Sequence, residues 1–161
     1  MAARLTMKLF GRRVRHLLNA GIVTPVADED RMDLTDEEWR QRLNPEQFEV
    51  LRNKATDRPF SGEYTHPVYE GVFKCAGCGS ELFSAETQFD SGSGWPSFTR
   101  PIESDRVELH EDRSYGMRRI EVTCSRCGGH LGHVFDDGPG PEGLRWCINS
   151  TSLELEGEKT R

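Results

Sequence analysis

Two C-x2-C pairs, Cys75 and Cys78 in "KCAGCG" and Cys124 and Cys127 in "TCSRCGG", limit what this chain can fold into more than any other feature. A C-x2-C turn aims two thiolates at one point, and the glycine that follows each pair permits a tight backbone approach. Two such turns supply the four ligands of a closed zinc site, with thiolates at roughly 2.3 Å from the ion. Such a site is structural, because no coordination position stays open for substrate or water. The 45 residues between the pairs exceed the roughly 15–20 of a zinc ribbon, so the ion is expected to staple two distant hairpins. Rival readings are two disulfides, a redox C-x-x-C and an iron centre. Nothing in the sequence indicates secretion and a thioredoxin-like βαβ context is missing, which favours zinc.

The segments around the pairs read as short strands. "VYEGVFKC" leads into the first pair and "ELFSAETQFD" away from it, while "RVELHED" and "YGMRRIEVTC" suggest an antiparallel hairpin around Arg113 and Ser114. In the latter run the apolar phase slips between Met117 and Ile120, which predicts a bulge near Arg118 and Arg119. "HLGHVFD", "LRWCINS" and "SLELE" are further strand candidates. Helices are expected only ahead of them. Thr35 and Glu38 have capping-box spacing, and Asn44, Pro45 and Gln47 give a second helix its N-cap, first position and capping-box partner. Phe48, Val50 and Leu51 are assigned to the core or scaffold. The fold class is therefore mainly β (α+β) with a small helical cap.

Charge narrows the partners. The chain carries −6 overall, but its first 27 residues hold five bases and no acid, leaving roughly −11 on the rest. An acidic domain repels phosphate backbones, so nucleic acid is not expected as a partner. No run approaches the roughly 18 apolar residues of a membrane-spanning helix, and mean hydropathy is −0.67. Residues 1–30 are read as a flexible basic extension to a cytoplasmic protein, with a mitochondrial-type presequence as the alternative. The folded domain is expected over 31–157, with a tail at 158–161.

The fifth cysteine, Cys147 in "GLRWCINSTS", has no partner left once the pairs are committed to a metal. A single strand cysteine is often only a small buried hydrophobe. Here Arg145 and Asn149, two residues to either side, share its face if the segment is a strand, and a cation favours the reactive thiolate. His130 and His133 in "GGHLGHVF" fall on opposite faces of a regular strand, although a break at Gly132 would bring them together. His16, His66 and His110 are read as surface or structural. The Gly-Ser turn "SGSGWPSF" ends in Trp95-Pro96, an aromatic platform expected to be exposed.

In this order, "CAGCG", "SGSGWPSF", "CSRCGGHLGHVFDDGP" and "RWCINSTSL" resemble a methionine-R-sulfoxide reductase of the MsrB type. The resemblance runs from about Leu34 to Leu155 and leaves the basic head uncovered. It implies two antiparallel sheets around a barrel-like core, peripheral helices and a zinc knuckle of Cys75, Cys78, Cys124 and Cys127. It further implies that Cys147 attacks the sulfoxide sulfur, and that His130, His133 and Asn149 hold and polarise the substrate, one histidine acting as proton donor. Trp95 would pack against the ε-methyl group, with Arg145 and Phe135 also on the substrate. The implied product is methionine, with Cys147 left as a sulfenic acid.

Many relatives carry a second, resolving cysteine, and the candidate position in "SGSGW" here is Ser93, which cannot form a disulfide. Direct reduction by an external thiol such as thioredoxin is the expectation, in a monomer. Other readings of the same residues are a zinc-stapled interaction module without activity and a Cys-His-Asn thiol hydrolase. Deleting residues 1–30 should leave kcat within about twofold of the full chain, a change under ~0.5 kcal/mol in the barrier. Steady-state kinetics of the truncated and full-length proteins check this directly.

Overall fold

The computed structural model describes residues 31–160, so the head expected at 1–30, with His16, lies outside the described residues. Among the described residues two short helices come first, α1 (Asp36–Arg42) and α2 (Pro45–Asn53). Both capping boxes form: Thr35 accepts from the Glu38 amide and Asn44 from the Gln47 amide, and each partner side chain reaches back to the cap. Caps of this kind contribute about 1 kcal/mol each. Trp39 of α1 and Phe48, Val50 and Leu51 of α2 are buried.

Nine strands follow: β1 (Tyr69–Cys75), β2 (Glu81–Ser84), β3 (Gln88–Phe89), β4 (Ser97–Phe98), β5 (Val107–Asp112), β6 (Arg119–Cys124), β7 (His130–Phe135), β8 (Arg145–Ile148) and β9 (Leu153–Lys159). They form two antiparallel sheets, β2-β1-β9 and β3-β4-β8-β7-β6-β5. Both sheets stay open, with β3 and β5 as the edges of the larger one, so the barrel-like core expected from the resemblance is not a closed barrel. β9 runs through Lys159 and takes up part of the expected tail.

The two sheets meet along an aromatic seam. Phe73 and Phe83 are cross-strand neighbours in β1 and β2, and Phe98 and Trp146 are cross-strand neighbours in β4 and β8. Phe83 stacks on Phe98 with centroids 4.5 Å apart, Phe73 meets Phe98 edge-on at 5.4 Å, and all four rings are buried. Each such pair adds about 0.5–1.5 kcal/mol to its area burial. Val134 opposite Trp146 and Ile120 opposite Val134 continue this apolar face across the larger sheet.

Period-two alternation sends the intervening residues to the opposite face. Ser97, Cys147, His133, Glu121 and His110 are successive cross-strand partners, so they form one polar row across β4, β8, β7, β6 and β5. The β5–β6 hairpin is in unbroken register from Val107↔Cys124 to Asp112↔Arg119, so the bulge expected near Arg118 and Arg119 does not form. Tyr115 and Met117 lie in the exposed turn before β6 begins, which accounts for the apparent slip in phase. The bulge instead lies in β7: Val122 pairs with Gly132 but Thr123 with His130, so Leu131 is an extra residue. Beyond that bulge His130 returns to the face of His133.

Gly132 sits where β7 approaches β8, and a Cβ there would strike the Cys147 carbonyl. Gly132→Ala should cost about 1–3 kcal/mol, the usual range for overpacking, with Tm falling about 2–4 °C per kcal/mol. Thermal denaturation of the purified variant measures it.

Candidate active site and metal centre

Knuckle sequences at the ends of two hairpins bring the cysteines together. Cys75 ends β1 and Cys78 lies in the turn to β2; Cys124 ends β6 and Cys127 lies in the turn to β7. The four sulfurs all lie within 4.8 Å of one another, with Cys75–Cys127 at 3.7 Å and Cys78–Cys124 at 3.5 Å. A tetrahedron of thiolates around an ion at 2.3 Å has edges of about 3.8 Å, so the donor set fits one metal ion. No disulfide joins any two of these cysteines, and the spacing of their sulfurs favours one shared ion over two disulfides.

The helices and basic side chains close over this cluster. A Cβ on Gly129 would press on Leu51 of α2 and on the Cys127 sulfur, so this glycine is what lets α2 lie against the knuckle. Arg42 Nε donates to the Gly77 carbonyl at 2.6 Å, Arg52 to Cys127 at 2.8 Å and Arg126 to Cys78 at 3.1 Å. Three cations on knuckle carbonyls would offset the negative charge that four thiolates would leave on a divalent ion. Chelation, or Cys124→Ser, is expected to remove the cooperative thermal transition of the domain, since such sites contribute folding energy outright. Calorimetry with and without chelator tests this.

The second site lies on the polar row, in a cavity of about 160 Å³. Trp95, His133, Phe135, Arg145, Cys147 and Asn149 line it, six of the seven catalytic or substrate residues expected from the sequence. His130, the seventh, stands one layer behind. Its ring centroid is 5.6 Å from that of His133, its Nδ1 is 2.6 Å from Glu121 Oε2, and its Nε2 is buried without a partner. Trp95 is half-buried rather than exposed, because its indole N–H reaches inward to the Asp57 carbonyl at 2.9 Å. His66 and His110 are exposed, with His110 held to Thr123 at 3.0 Å.

Asp112, Glu121 and Asp57, which hold this arrangement, were not singled out from the sequence. Asp112 Oδ2 lies 2.7 Å from His133 Nε2, and Arg119 donates to the same oxygen at 3.3 Å. Burial pushes the Asp112 carboxyl up, but hydrogen bonds from His133 and Ser114 outweigh it and hold the group well below the usual range. An ionised Asp112 fixes the proton of neutral His133 on Nε2 and leaves Nδ1 as the free nitrogen. The pKa of His133 is lowered by burial and by the Arg119 charge, against the pull of Asp112. Glu121, buried behind His130, also receives Lys54 at 3.2 Å from the end of α2. Asp57 is a clasp: its amide donates to Asn149 Oδ1 at 2.9 Å, its carboxylate accepts from Thr151, and its carbonyl holds Trp95.

Cys147 is partly buried, and burial raises its pKa above the ordinary thiol value although Arg145 and Ser93 pull it down. Arg145 is occupied by a bidentate pair with Asp137 at 2.9 and 3.3 Å and lies 4.6 Å from the Phe135 ring. At neutral pH the resting pair is therefore a thiol beside a neutral imidazole, which together hold one transferable proton.

A partly buried thiol, an imidazole oriented by a carboxylate and an aromatic wall, on a β domain pinned by four cysteines, define a protein built for thiol chemistry on a single side chain. The chain belongs to the SelR domain family, whose profile matches residues 43–157. It is 56% identical over 131 residues to "Peptide methionine sulfoxide reductase MsrB" of Methanosarcina mazei, covering 81% of this chain and 94% of that protein. A protein of the same name from Bradyrhizobium diazoefficiens is 56% identical over 128 residues, 80% of this chain and 92% of the relative. "Methionine-R-sulfoxide reductase B3, mitochondrial" of Mus musculus is 55% identical over 121 residues, 75% of this chain and 48% of the mouse protein.

Proposed function

We propose that this chain reduces the R epimer of methionine sulfoxide to methionine and so repairs oxidised methionine. The observation that carries the reading is the placement of Cys147 directly opposite His133 across the β7–β8 ladder, in a cavity also lined by Trp95 and Phe135. That cavity is smaller than the ~300 Å³ and upward of sites for whole drug-sized ligands, and fits one side chain. Family membership and the names of the relatives point the same way.

In the proposed reaction the Cys147 sulfur attacks the sulfoxide sulfur. The thiol proton passes to Nδ1 of neutral His133 and from there to the sulfoxide oxygen, because an unprotonated oxygen leaves poorly. The attack makes an S–S bond; that bond and the substrate's S–O bond both break as the hydroxyl passes from the substrate sulfur to Cys147, where a new S–O bond forms. Methionine departs, its sulfur reduced by two electrons, and Cys147 is left as a sulfenic acid, oxidised by two. Asp112 keeps His133 in the required tautomer. Trp95 supplies the wall for the ε-methyl group and Asn149 the polar side opposite, so one configuration at sulfur fits. His130 acts from behind His133, braced by Glu121.

Two external thiols then return Cys147 to the thiol, yielding water and one disulfide. Thioredoxin or a small thiol fills this role, because among the described residues every other cysteine lies in the metal cluster. Zinc is the proposed ion of that cluster, held by Cys75, Cys78, Cys124 and Cys127; it contributes folding energy and no step of the reaction. One chain supplies every residue of the site, in keeping with a monomer.

A stereospecific assay with the two separated epimers tests the proposal. Turnover of the R epimer only is expected, with two thiol equivalents consumed per methionine and complete loss in Cys147→Ser. Mass spectrometry after one turnover without reductant should find a single added oxygen on Cys147 and no new disulfide. Product release without reductant consumption would indicate a hydrolase, and full function in Cys147→Ser an interaction module.

A further inference from the structure

The place a resolving cysteine would occupy is held by Ser93, and Ser93 is not isolated. Its Oγ lies 2.7 Å from Ser91 Oγ, which lies 2.8 Å from Ser97 Oγ. Ser97 is fully buried and is the cross-strand partner of Cys147 in the β4–β8 ladder, and Ser93 lines the cavity beside that sulfur. Backbone groups tie down both ends of the series. The Trp95 amide donates to Ser93 Oγ at 3.4 Å, the Ser93 amide to Ser91 Oγ at 3.3 Å, and Ser97 Oγ donates to the Trp95 carbonyl at 3.2 Å.

We infer that Ser93, Ser91 and Ser97 form a chain of hydroxyls ending on the Cys147 sulfur, whose direction reverses with the charge on that sulfur. Each hydroxyl has one donor and two lone pairs, which fixes the count. With Cys147 as a thiol, S–H donates to Ser93, Ser93 to Ser91, Ser91 to Ser97 and Ser97 to the Trp95 carbonyl; every donor is used. With Cys147 as a thiolate, the three hydroxyls rotate. Ser93 then donates to sulfur, Ser91 to Ser93 and Ser97 to Ser91. No O–H bond breaks, and the exchange trades the 3.2 Å bond to the Trp95 carbonyl for a hydrogen bond to an ion, the stronger kind.

The chain thus acts beside the charged groups that face Cys147: Arg145 on its own strand, Asp137 beyond β7, His133 across the ladder and Arg119 on β6. Burial still sets the direction of the shift, upward, and Arg145 and then Ser93 limit its extent. Ser93 lies on the cavity wall with the reacting sulfur and its hydroxyl pulls the thiol's pKa down, while Ser91 and Ser97 position it. The inference rests on Cys147 being the reacting group, but the charge of that sulfur can be read without turnover.

The test is the rate of iodoacetamide alkylation at Cys147 against pH in the full-length, metal-loaded protein, with adducts assigned by peptide mapping. Ser93→Ala is expected to slow alkylation at pH 7 about tenfold, in line with loss of one hydrogen bond to a charged group, and to converge on wild type where the thiol is fully ionised. Ser91→Ala, which removes no contact with sulfur, should slow it about threefold in the same direction, an effect converted from ~0.6 kcal/mol. Ser93→Thr, which keeps the hydroxyl, should stay within about twofold of wild type. Wild-type rates in Ser93→Ala would overturn the inference. So would a slowed Ser93→Ala beside an unchanged Ser91→Ala, because the hydroxyls would then not act as a series. Absence of sulfoxide turnover in the wild type would sink the reductase reading and leave these rates unaffected.

Discussion

Everything in this structure depends on two hairpin turns converging on one point. The β1–β2 turn belongs to the smaller sheet and the β6–β7 turn to the larger, so the four-sulfur cluster ties the sheets at one end while the Phe73, Phe83, Phe98 and Trp146 seam glues their faces. The consequence reaches the chemistry. Cys127 and Gly129 fix where β7 begins, the extra residue Leu131 sets its phase, and both histidines then face the polar side. The knuckle pins that register together with the buried face of Ile120, Val134 and Trp146, and a one-residue slip would turn His133 into the core.

Polar and apolar roles share the same strands. Trp146 and Cys147 are consecutive, as are His133 and Val134, so β8 and β7 each give one residue to the apolar face and its neighbour to the cavity. This gives the site rigid backing, since the thiol and imidazole sit on elements whose other face is close-packed. It also explains why the cavity needs few loop residues; Trp95 and Ser93 are the main contribution from the long β3–β4 connection.

Much of this was legible in the sequence, for reasons that differ by element. The caps at Thr35 and Asn44 are local chemistry, and local chemistry reads well from a linear string. The paired cysteines announce themselves by spacing. What stayed hidden depends on pairing register. In "RVELHED" and "RRIEV" the acids look like ordinary solvated strand residues, and only the ladder shows that Asp112 reaches His133 and Glu121 reaches His130. The β7 bulge is likewise a property of two strands together. The bulge read at Arg118 and Arg119 assumed that Tyr115 and Met117 were already in the strand, when the turn had not yet ended.

Asp57 shows how conditional such a site can be. One residue of the segment between α2 and β1 restrains Trp95 through its carbonyl and Asn149 through its amide, and residues 58–61 beside it are exposed. Opening that short segment would release two walls of the cavity at once while the sheets stayed intact. The site therefore belongs to a smaller cooperative unit than the domain, and its persistence is governed by local opening of this segment rather than by the stability of the core.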